Sequence, residues 1–149
     1  MVVNIQLADG VNTPLELNRI ESAASQAMHM AGAPPDSELT VVLTDDEELQ
    51  RLNRQFLEID APTDVLSFPA DFIDPDSHHP YLGDILVSVE RAYQQADLQG
   101  HSARQELLLL IIHGILHLLG HDHAEEAEKE RMWALQDQIL SQLSSDEPA

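Results

Sequence analysis

From Leu107 to Leu119 the chain is apolar at nearly every position, yet it carries histidines at 113 and 117 and runs on as Gly120-His121-Asp122-His123. The apolar run is too short to span a bilayer. Apolar on all sides, it reads as a helix buried in a folded domain, so other elements must surround it. Imidazoles in such a place cost free energy unless hydrogen bonds or a metal satisfy them.

The spacing favours a metal. Residues four apart on a helix share a face, so His113 and His117 project together, as two ligands of one ion do. Gly120 follows three residues later, where a left-handed C-terminal residue turns the chain back and lets His123 swing toward the same point. The pattern H-x-x-x-H-x-x-G-x-x-H has the spacing of the metzincin zinc site. Three neutral imidazoles with an open fourth position describe a catalytic zinc, since structural sites are closed by four protein ligands. His121 has no required role and is a candidate for contact with metal or substrate. The residue after the first histidine, which in zincins is the glutamate that acts as general base, is Gly114 here. A peptidase reading therefore lacks its base, although a bound metal can still activate water or polarise a phosphoryl oxygen. The absence of cysteine excludes disulfides and thiolate sites, leaving His, Asp and Glu as ligands.

A length of 149 residues suits a single domain, residues 1–149, with the tail 144–149 expected to fray. The N-terminus shows no signal-peptide pattern, so cytoplasmic residence without a membrane is the expectation. A net charge of −20, from 27 acidic against 7 basic residues, repels polyphosphate at long range. Composition by itself thus points away from a nucleic-acid partner.

Apolar periodicity and turn residues predict strands over Val2–Leu7, Glu38–Leu43, Val65–Phe68 and Leu82–Ser88. Capping boxes at Thr13 and Thr44 predict helices from about Pro14 to Ala31 and on to about Phe56, and a third at Ser102 opens the histidine helix, which ends at Gly120. Ser88 is expected to cap a helix over about Val89–Leu98, and a last amphipathic helix to cover about Ala124–Leu143. Asp71–Pro80 reads as a loop. The fold class is α+β, close to α/β: a small mixed sheet of about four strands covered by about five helices, with the metal site on a helix and its following turn.

The run HGILHLLGHDH, together with LNRQFLEIDAPTDVLSFP (Leu52–Pro69) and LGDILVS (Leu82–Ser88), resembles the YbeY family of rRNA maturation factors, with the three blocks in that family's order and spacing. The resemblance implies a single-strand-specific, metal-dependent endoribonuclease acting in 16S rRNA 3′ end maturation and ribosome quality control. It implies Zn2+ on His113, His117 and His123, and partners in rRNA, the small ribosomal subunit, the GTPase Era and a small-subunit ribosomal protein. His121 stands where the family usually has Tyr. Leu57 and Ile59 stand where it usually has an Arg thought to act on RNA and a further basic residue.

Arg51 and Arg54, on the preceding helix, are the substitute candidates for phosphate contact, against an ordinary solvated role. Asp84 is a candidate acceptor for a ligand histidine's N–H, Ser67 a candidate site contact at a strand end. Thr63 and Asp64 are expected to shape a Pro-Thr-Asp turn. Two other readings stand beside the endoribonuclease: a non-catalytic, zinc-stabilised ribosome assembly factor, and a zinc peptidase, which Gly114 disfavours.

Overall fold

The computed structural model describes residues 1–121 and 125–146, with side chains described as far as Leu143. The elements run β1 (Val2–Leu7), α1 (Leu17–Met30), β2 (Glu38–Thr44), α2 (Asp46–Leu57), β3 (Val65–Ile73), β4 (Pro80–Ser88), α3 (Val89–Gln99), α4 (Ala103–Leu118) and α5 (Glu126–Asp146). The α+β architecture expected from the sequence is what forms. The four strands make one sheet in the order β1-β2-β4-β3, with β1, β2 and β4 parallel and β3 antiparallel at the edge.

The apolar run forms α4, and its surroundings explain its composition. It packs on β3 and β4 and is flanked by α1, α3 and α5, so Leu107, Ile111, Ile112, Ile115 and Leu116 are all but inaccessible to solvent. Leu39, Val41, Leu43, Ile85 and Val87 meet it from the sheet. Apolar burial on this scale is the main favourable term holding helix to sheet. α2 packs against β3 and β4 and covers part of the opposite sheet face, where Leu49 and Asn53 are buried.

Ser102 and Ser88 cap their helices as expected, accepting from the backbone N–H of Gln105 and Arg91. Thr13 does not. Its hydroxyl closes a local turn on Leu15 at 2.9 Å, and α1 starts later, at Leu17 with Glu16 as N-cap. Thr44 is buried as the last residue of β2, and the cap of α2 falls instead to Asp45, which accepts from Glu48 N–H at 2.9 Å.

The largest departure is β3. The strand read over Val65–Phe68 runs on through Pro69 to Ile73, and β4 begins at Pro80, so most of the expected loop Asp71–Pro80 shrinks to a turn closed by Asp74 N–H on His79 O at 2.8 Å. Proline removes a ladder donor, which an edge strand tolerates because one side of it has no neighbour. α5 reaches Asp146, so residues 144–146, expected to fray, continue the helix. Among the described residues no helix is long and apolar enough to cross a membrane.

Candidate metal centre

His113 and His117 project from one face of α4, and their Nε2 atoms stand 3.1 Å apart. The rings cross edge to face at 70°, with centroids 4.7 Å apart. Two nitrogens, each about 2.0–2.1 Å from one tetrahedral zinc, lie roughly 3.3 Å apart, so the pair is spaced to share an ion. The third expected ligand, His123, lies outside the described residues.

The other nitrogen of His113 is also committed. Gln136 Oε1 on α5 accepts from Nδ1–H at 3.0 Å, which leaves the lone pair on Nε2, facing His117. Metal-binding histidines are normally held in this way by a partner on the far ring nitrogen. The sequence reading assigned that part to Asp84 and missed Gln136. The available signal was a polar residue inside the apolar stripe Met132, Leu135, Ile139 and Leu143 of α5, the face turned to α4.

The turn after the pair is built as the glycine predicts. Gly120 adopts φ 92°, its N–H bonds to His117 O at 3.1 Å, and His121 N–H reaches back to Leu116 O at 3.0 Å. These two bonds form a Schellman cap that reverses the chain immediately after the second histidine. His121 joins the cap through its backbone and is half-buried.

Gly114 faces the sheet. A Cβ there would stand 2.6 Å from Ile85 Cγ2 and 3.2 Å from Ser67 Oγ. The position where zincins carry their glutamate thus lies tight against the sheet, where a larger side chain would overlap Ile85. Ser67 Oγ donates to Gly114 O at 3.2 Å and pins the helix beside His113.

Asp84 lies on the opposite face of the sheet, paired across the strands with Thr40 and Phe68. It accepts a short hydrogen bond from the Tyr81 hydroxyl, which also meets Thr40 Oγ1 at 2.6 Å. Burial, with the neighbouring Asp84 carboxylate, pushes the Tyr81 phenol up to about 12. Asp84 is therefore committed to Tyr81 rather than to a ligand histidine.

Arg51 is exposed and spent on Glu48, at 3.0 Å from Nε, and on Gln55 at 3.1 Å. Arg54 is exposed and 3.9 Å from Asp60. Leu57 is half exposed at the end of α2. In the Pro-Thr-Asp turn, Asp64 reaches outward, accepting from Gln95 Nε2 on α3 at 3.2 Å.

The family model for endoribonuclease YbeY matches residues 6–144. A curated relative from Desulfitobacterium hafniense named endoribonuclease YbeY is 42% identical over 132 residues, covering 83% of each chain. Another of that name, from Lachnoclostridium phytofermentans, is 39% identical and covers 96% of this chain and 98% of its own. Among solved structures, the solution structure of TM1509 from Thermotoga maritima aligns with a TM-score of 0.66 at 27% identity, over 98% of this chain and 91% of that one.

Proposed function

The chain belongs to the endoribonuclease YbeY family, and on that premise we propose that it cuts single-stranded RNA with a zinc ion held by His113, His117 and His123, in maturation of the 16S rRNA 3′ end. The observation that carries the metal is the His113–His117 pair, set 3.1 Å apart with Gln136 fixing the outer nitrogen of His113. The donor set suits zinc, being imidazole with no thiolate available.

The ion, when bound, supplies a Lewis acid for the scissile phosphate and lowers the pKa of a water molecule. The chain's own part is positional. Gln136 orients one imidazole, Ser67 and the Gly114 contact fix the height of α4 on the sheet, and the Gly120 cap ends α4 directly after the pair. The packing of Gly114 leaves no place for a zincin-type glutamate, which removes the support for a peptidase.

The charge of −20 gives no general attraction for RNA. We assign docking to the small ribosomal subunit in the cytoplasm, with the GTPase Era and a small-subunit ribosomal protein as partners, and weak activity on free RNA. The test is metal analysis of purified protein followed by cleavage of single-stranded and duplex RNA. The expected result is about one zinc per chain and cleavage of the single strand that chelation, His113→Ala and His117→Ala each abolish. Cleavage that survived all three would remove the metal from the mechanism.

A further inference from the structure

The chain contains three phenylalanines and two tyrosines. None of the phenylalanines is in the core, which is aliphatic apart from methionine. Instead Phe68, Phe72 and Tyr81 lie on the sheet face turned away from α4, and Phe56 reaches them from the end of α2. Strand register fixes the faces. Ser67 and Ile85 pair across β3 and β4 and meet Gly114 of α4, so the next pair, Phe68 and Asp84, points the other way. Between Leu39↔Gly83 and Glu38↔Tyr81, β4 carries one residue more than β2. This bulge, with Gly83 at φ 140°, turns Tyr81 onto the face of Asp84 and Thr40. A side chain at Gly83 would strike Phe68 O at 2.3 Å, so the bulge requires glycine.

The rings form two contacting pairs. Phe56 meets Phe68 edge to face with centroids 5.5 Å apart, and Phe72 stacks on Tyr81 at 5.2 Å and 22°. Phe56 is 57% exposed and Phe72 52%, so each keeps ring surface open to solvent. The carboxylates beside them are already engaged. Glu38 accepts from Asn4 Nδ2 at 3.0 Å and Ser77 Oγ at 2.8 Å, and Asp84 from Tyr81.

We propose that this aromatic face is a base-stacking platform for single-stranded RNA, with Phe72 and Phe56 as its contact rings. The inference rests on the endoribonuclease reading and specifies how that substrate is held. A chain with a net charge of −20 has little phosphate attraction to use, whereas stacking on aromatic rings needs no cation and accepts every base. Glu38 and Asp84 repel phosphates, so the bases face the sheet and the backbone runs outward. A duplex, whose bases already stack on one another, offers nothing to these rings, which makes the platform a source of single-strand preference.

The experiment mixes the full, metal-loaded chain with a short unstructured RNA carrying 2-aminopurine, whose fluorescence is quenched on stacking, and measures KM and kcat for cleavage of the same sequence. Phe72→Leu and Phe56→Leu keep apolar bulk and lose the aromatic face. Each should abolish part of the quench and raise KM by about 5- to 150-fold, with Phe72→Trp close to wild type. Leu98→Ala, at an exposed residue on α3, is the control for general surface effects. Wild-type quench and KM in both leucine variants would overturn the platform and leave an apolar protein-docking surface as the use of this face. If the wild-type chain itself neither bound nor cut RNA, the endoribonuclease reading would fall and the platform with it.

Discussion

Gly114 and Gln136 flank the proposed metal site, and each shapes it without being a ligand itself. Adding one methyl at Gly114 forces contact with a fully buried, β-branched Ile85. Overpacking of this kind costs about 1–3 kcal/mol, against a gain of about 1 kcal/mol in helix propensity over glycine. Gly114→Ala should therefore lower the urea midpoint despite being helix-favouring, and a raised midpoint would show that Ile85 can step aside. Gln136→Leu fills the same stripe of α5 but removes the acceptor for His113 Nδ1–H. Zinc affinity measured by competition with a chelating dye should fall about 10- to 100-fold while the fold is kept. Unchanged affinity would mean that the imidazole is oriented by packing alone. Of these residues the histidine pair was legible in the sequence, because helical spacing by itself puts both rings on one face. Gln136 was not, because its partner is 23 positions away on another helix.

Helix α2 is tied to α3 through their N-termini. Asp46 holds Arg91 at 3.0 Å and accepts from Ser88 Oγ at 2.6 Å, while Glu90 accepts from the Asp46 backbone N–H at 2.7 Å. Burial raises the Asp46 carboxyl, but the hydrogen bonds from Arg91 and Ser88 and the Arg91 charge outweigh it, holding it below its ordinary 3.8. A folded-state pKa below the unfolded one stabilises the fold above pH 3.8 and ceases to do so as pH falls through the lowered value. Asp46→Asn should cost about 1–2 kcal/mol near neutral pH, and its denaturation curve should converge on wild type in acid. A penalty independent of pH would assign the effect to hydrogen-bond geometry instead of charge. The sequence shows four acidic residues opening α2, Asp45 to Glu48. Which of them caps, which clasps a neighbouring helix and which pairs with Arg51 follows only from where α3 packs.

At the scale of the molecule, a charge of −20 sets the sign of the salt response. Raising ionic strength from about 0.01 to about 0.1 M shortens the screening length from about 30 to about 10 Å. Repulsion between this chain and free RNA should then weaken, so KM for a free oligonucleotide should fall, the reverse of the usual loss of nucleic-acid affinity with salt. A KM that rises with salt would show that local cations outweigh the net charge. The sequence by itself determined the buried helix, the shared face of its histidines, the turn at Gly120 and the α+β alternation, because each rests on periodicity or on the conformational range of one residue. Strand order, the survival of β3 beyond Pro69, the removal of Asp84 to the far face and the gathering of the phenylalanines on that face were decided by tertiary structure. They depend on which strand lies at an edge and on register shifts between β2 and β4 and between β3 and β4, and a residue's face after such a shift cannot be counted from the sequence alone.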